Sequence, residues 1–119
     1  MAVLLDIATR EGIAAASFVG LGAFSRSTLA FFDRATRTYL PIPVEEQVEV
    51  VSITGNISLF EGAPRIHAHA LLSRPDGSTI GGHLVEGTVW PTLELTLTLT
   101  PGRIDREIDE ESGLPLLRE

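Results

Sequence analysis

Residues 92–100, "TLELTLTLT", alternate apolar and polar positions, with Leu93, Leu95, Leu97 and Leu99 on one side and Thr92, Glu94, Thr96 and Thr98 on the other. A period of two marks a half-buried β-strand, and Pro101-Gly102 closes it. The chain opens on a different period. Val3, Leu4, Ile7 and Ala8 form a helical stripe over residues 1–11, and Gly12 stands where a left-handed cap would stop the helix. Residues 13–24, "IAAASFVGLGAF", are small and apolar without a clear period, which suits a buried strand whose glycines allow close backbone approach. A turn near Ser25 is expected to separate this strand from a second one, "STLAFFD". The stretch "RATRTYLPIPVEEQ" carries two prolines and predicts a loop with a short edge strand. Residues 48–60, "VEVVSITGNISLF", are β-branched and predict a long strand with a bulge or bend at Gly55-Asn56. The final segment, "RIDREIDEESGLPLLRE", is an acidic tail with an apolar end expected to dock on the domain.

A chain of 119 residues with 44% hydrophobic and 21% charged residues is one globular domain with a modest core. Cysteine is absent, which excludes disulfides and thiolate metal ligands. No run of about 18 apolar residues supports a membrane helix. The first residues lack the basic flank and long apolar core of a signal peptide, so a soluble cytoplasmic protein without membrane partners is expected. All nine cations are arginine and the net charge is −7. Such a chain repels the phosphate backbone that supplies most non-specific DNA affinity. Arg26, Arg34 and Arg37 come closest to a basic cluster.

All three histidines, His67, His69 and His83, fall within "RIHAHALLSRPDGSTIGGHL". The turn "RPDGS" offers Pro75, Asp76 and then Gly77 where a left-handed residue is needed, the signature of a three-residue hairpin loop. In that register Arg74 opposes Ser78, His69 faces His83 across the hairpin, and His67 faces Val85. His67 and His69 share a face because they are two apart, so three imidazoles converge. A two-residue loop at Asp76-Gly77 would instead turn His83 to the opposite side. With convergence, three neutral imidazoles suit Zn²⁺ or another divalent transition metal, with a fourth position open to water or substrate. The plainer alternative is three histidines with only local hydrogen bonds. Glu61 and Glu86 are the nearest carboxylates in sequence, and Glu86 falls on the other face in this register.

Other chemistry is weaker. "HAH" after "GAP" resembles a cupin motif, but residues 71–74 hold no glutamate. "GLGAFS" lacks the strand–GxGxxG–helix setting of a phosphate loop. Ser25, Ser27 and Ser73 have no inferable His–Asp partners, and no residue is assigned a catalytic role or an organic cofactor. Trp90, before Pro91 at a strand corner, is expected in the core or a subunit interface.

Three stretches carry a family resemblance: "GIAAASFVGLGAFSRSTLAFFD", "GNISLFEGAPRIHAHALLSRPDGSTIGGHLVEG" and "EESGLPLL". Together they resemble the PPC domain, the plants and prokaryotes conserved domain also called domain of unknown function 296. The resemblance covers nearly the whole of residues 1–119. It implies a single compact α+β domain, an antiparallel-rich mixed β-sheet with packed helices, assembled as a homotrimer. It also places the family's histidines on His67, His69 and His83, which some members use to hold a metal, zinc being the expected one. In plants the domain follows an AT-hook that grips DNA, and stand-alone prokaryotic members are often named as DNA-binding. This chain has no Arg-Gly-Arg-Pro hook, and it starts at about the family's N-terminal helix, without the strand that usually precedes it. The resemblance implies a domain of undetermined role, regulatory or DNA-binding, with a metal-dependent enzyme acting on a small polar substrate as the alternative. Its small ligand or protein partner is not named by the residues.

Overall fold

The structure is a computed structural model describing residues 1–118. Helix α1 spans Ala2–Arg10 and buries Leu4 and Ala8, while Val3 of the expected stripe faces solvent. Its end is a Schellman arrangement. Gly12 has φ +64°, and the amides of Gly12 and Ile13 donate to the carbonyls of Thr9 and Ala8. No other helix occurs among the described residues, so the expected packed helices reduce to this one.

Seven strands follow: β1 Ala16–Asp33, β2 Thr38–Val44, β3 Val48–Phe60, β4 Ala63–Ser73, β5 Thr79–Leu99, β6 Asp105–Ile108 and β7 Pro115–Leu117. They form one sheet in the order β2-β1-β5-β4-β3-β6-β7, with β1 also pairing β3. That extra pairing closes β1, β3, β4 and β5 into a ring. All pairings are antiparallel except β3 with β6. The fold is therefore a mixed, mostly antiparallel sheet with one short helix.

The expected turn near Ser25 does not exist, because β1 runs unbroken for 18 residues. Its first half lies between β3 and the end of β5, and its second half between β2 and the start of β5. Register shifts around Phe24 and Arg26 absorb the change of partner. "SRS" is polar because Ser25 and Arg26 both face water at the register shift, with Ser27 already buried again, and not because the backbone leaves the sheet. β2 is a longer strand than the prolines suggested, and it tolerates Pro41 and Pro43 as an edge strand of the described sheet.

β5 likewise continues for 21 residues through a cis Trp90–Pro91 bond. Residues 90–92 form an irregularity there, since Gly22 pairs Leu93 while Phe24 pairs Val89. Trp90 is 56% exposed, which corrects its placement in the core. The irregularity of β3 lies at Val50–Ser52, not at Gly55-Asn56. Gly55 is instead a close approach, where a Cβ would overlap the His67 carbonyl and the Phe18 ring.

The core within the ring holds Phe18, Phe24, Leu29, Ile53, Ile57 and Leu72, all nearly inaccessible. Each such side chain contributes about 1.5–3 kcal/mol on burial. Leu93, Leu95 and Leu97 face this core and α1 only in part, and Leu99 is exposed. The acidic tail does dock, as β6 beside β3 and β7 beside β6. Glu119, its last residue, lies outside the described residues.

Candidate metal centre

The β4–β5 hairpin turns as its sequence requires. Arg74 N–H donates to the Ser78 carbonyl at 2.8 Å and Gly77 N–H to the Arg74 carbonyl at 2.9 Å, with Gly77 at φ +81°. The register places His69 opposite His83. β4–β5 pairing ends there, so Val85 does not pair with His67, which instead lies across from Asn56 of β3. The alternation of β3 and β4 then sorts two faces. Ile53, Ile57, Ala68 and Ala70 point into the core. Thr54, Asn56 and Ser58 lie opposite His69, His67 and Arg65 on the other face.

All three imidazoles meet on that polar side. Ring centroids lie 5.2 Å apart for His67–His69 and for His67–His83, and 5.5 Å for His69–His83. One nitrogen from each ring lies within 4.8 Å of the other two. Tetrahedral zinc with Zn–N near 2.0–2.1 Å needs donors about 3.4 Å apart, so modest side-chain rotations would complete the set.

Two further observations fit a metal. Nδ1 of His83 is buried with no hydrogen-bond partner among the described residues. An orphaned buried polar atom is costly unless something binds it. Burial first, and then repulsion from the neighbouring His67 and His69 rings and from Arg65, push the His83 imidazole down to about 4. The same causes, burial ahead of His69, lower His67. Both rings are therefore neutral near pH 7, the form a metal takes. Tyr39 of β2 stacks on His83 at 4.6 Å and holds its orientation.

These lowered values set a pH dependence in metal-free protein. Between pH 6.5 and about 4 the unfolded chain takes up a proton at His83 that the folded chain refuses. His83 then favours folding above that window and loses its contribution as pH falls through it. In chelator, the urea midpoint is expected to be lower at pH 5 than at pH 7.5; an unchanged midpoint contradicts this.

Neither sequence-nominated carboxylate joins the triad. Glu86 is aligned with Thr28 of β1, whose hydroxyl lies 3.5 Å from its Oε1. Glu61 sits in the β3–β4 turn at φ +52°. Of the nominated arginines, Arg34 and Arg37 line a separate cavity with Glu111, and Arg26 reaches Thr88, so none of them lines the cavity of His67 and His83.

Sequence reasoning missed Tyr39, Arg65 and Arg106, which line a cavity of about 100 Å³ together with His67 and His83. Arg65 had a readable signal, since it shares the i, i+2 face of His67 and His69. Arg106 had none, because its position depends on β6 adding to β3 in parallel.

The sequence pattern of the Plants and Prokaryotes Conserved (PCC, also PPC) domain matches residues 1–101. The chain belongs to this family. Solved structures of similar proteins agree with the PCC assignment. A PPC protein of Pyrococcus horikoshii is 33% identical with a TM-score of 0.92, over 99% of this chain and 82% of that one. A Ralstonia eutropha protein with a provisional DNA-binding name is 36% identical with a TM-score of 0.92, over 99% and 82%. A metal-containing protein of Archaeoglobus fulgidus is 30% identical with a TM-score of 0.89, over 99% and 84%. No curated protein matches this PCC chain.

Proposed function

We propose that this PCC-domain chain is a metal-binding protein in which His67, His69 and His83 hold one divalent ion, zinc by preference. The observation that carries this reading is the meeting of three imidazole nitrogens within 4.8 Å beside the unpartnered Nδ1 of His83. The metal-containing name of the Archaeoglobus relative supports it. An all-imidazole set favours zinc over magnesium or calcium, which prefer oxygen ligands. Bound there, the ion would act as a Lewis acid with a position left for a further ligand.

The working unit in this reading is a homotrimer. An apolar groove of about 690 Å³ between α1 and β5 supports it, lined by Val3, Leu4, Val89, Leu93, Leu95 and Leu97. Exposed Val19, Leu21 and Trp90 add apolar surface of the kind that subunits cover.

DNA binding is the second reading, favoured by the provisional names of relatives in Ralstonia and Bacteroides. The net charge of −7 opposes it for this chain alone. A regulatory metal-binding role therefore ranks ahead of it. No helix is long and apolar enough to cross a membrane among the described residues.

Metal analysis tests the first reading. Protein stripped with chelator and dialysed against zinc is expected to retain one ion per chain. Retention well below that, equal to a His67→Ala/His69→Ala variant, would overturn it.

A further inference from the structure

Arg106 is only 8% exposed, yet it touches no carboxylate among the described residues. Its guanidinium has five N–H donors. Nε donates to Ser58 Oγ at 2.6 Å, Nη1 to the Pro115 carbonyl at 2.7 Å and Nη2 to Asn56 Oδ1 at 2.7 Å. Every acceptor is neutral. Two donors remain, one on each terminal nitrogen, and the positive charge is unbalanced.

Burying an ion without a counter-charge is expensive, and proteins rarely do so without a reason. Burial, with the charge of Arg65 behind it, pushes the Arg106 guanidinium below its usual range. The sequence supplied sixteen carboxylates to nine arginines, so a shortage of acid does not explain the solitary cation. Other arginines found partners: Arg10, Arg34, Arg74, Arg103 and Arg118 all do.

The place of this charge is informative. Arg106 opens onto the same 100 Å³ cavity as His67, His83 and Tyr39. Arg65 stands at the cavity too, held over the Phe60 ring at 5.7 Å, and it also makes no ion pair among the described residues. The volume is about that of three liquid waters, which suits an inorganic anion or the carboxylate end of a small molecule. Guanidinium matches such oxygens with paired, charge-assisted hydrogen bonds.

We propose that Arg106 and Arg65 form a binding site for a small oxyanion, a carboxylate or a phosphate, directly beside the three imidazoles. The site deepens the metal reading, because an anion held there would lie next to the ion's remaining position. That adjacency rests on the reading; the arginine pair does not. It also names the ligand class missing from the sequence: acidic and small, excluded from a cavity of this size if it is a polymer.

Calorimetry at fixed ionic strength tests the site, with inorganic phosphate in one series and oxalate in another, on both metal-stripped and zinc-treated protein. Wild-type protein is expected to bind one of them saturably, one per chain, and the tighter series identifies phosphate or carboxylate as the natural chemistry. Arg106→Gln is expected to abolish binding. Should that variant fail to fold, Arg65→Gln carries the test, since Arg65 is exposed and outside the core. It is expected to weaken the anion at least about tenfold with an unchanged melting temperature, an outcome a merely structural arginine would not give. The proposal is overturned by no saturable binding of either anion in either metal state, or by equal affinity in Arg65→Gln and wild type. Zinc uptake without anion binding would sink this site and leave the metal reading intact. Anion binding by stripped protein that takes up no zinc would do the reverse.

Discussion

Replacing His83 with alanine is expected to lower zinc affinity by at least about 100-fold, because losing a direct ligand exceeds the 10–100-fold cost of losing an outer partner. His83 is the right residue to remove first. It comes from a different strand than His67 and His69, so it alone ties β5 to β4 through the ion. Its ring carries the unpartnered Nδ1 and the most strongly lowered imidazole. In metal-free protein the alanine variant therefore also loses the group behind the acid-side instability, and its urea midpoint is expected to vary less between pH 7.5 and pH 5. In zinc the two proteins separate. Wild type gains RT ln(1 + [Zn]/Kd), about 2.7 kcal/mol at a hundredfold excess over Kd, and a variant weakened 100-fold or more gains at most about 0.4 kcal/mol at that concentration. Urea titrations in chelator at the two pH values check the first half, and thermal melts with and without zinc check the second. Equal zinc-induced shifts in the two proteins would show that the ion binds elsewhere.

Gly55→Ala is expected to destabilise the fold by about 2–3 kcal/mol, the upper part of the range for forcing extra volume into a filled interior. Gly55 pairs with Phe18 on one side and Ala68 on the other. An added Cβ would overlap both the Phe18 ring and the backbone carbonyl of His67. The ring is fully buried and the carbonyl belongs to a sheet, so neither yields cheaply. Relief by moving β4 outward would shift His67, and zinc affinity should fall with stability. Gly62→Ala is the comparison. Gly62 has φ +79° with open space around it, so only backbone strain acts, about 1 kcal/mol. Urea denaturation separates the two; equal losses would mean that contact at Gly55 is not what demands glycine.

The site was legible in the sequence to the extent that local chemistry fixes it. "RPDGS" sets a three-residue loop, the loop sets the register, and the register puts His69 across from His83. None of that needs distant information. Helix α1 and its glycine stop were readable for the same reason. What the sequence hid depends on partners far along the chain. Ser25 looked like a turn because polar residues interrupt an apolar run, whereas β1 exchanges one neighbour for another there without leaving the sheet. Gly55 looked like a bend because a glycine's need for space on its Cβ side shows only once Phe18 and His67 are beside it. Arg106 looked like one charge of an acidic tail, and it becomes part of the site only through Ser58 and Asn56, about fifty residues earlier.

The central claim, that the three imidazoles hold a metal, is tested most directly by anomalous diffraction at the zinc edge from crystals grown with zinc. The predicted result is one strong peak per chain, about 2.0–2.1 Å from a nitrogen of each of His67, His69 and His83. A zinc-saturated crystal with no peak among these rings, or with its zinc bound wholly by other residues, would contradict it.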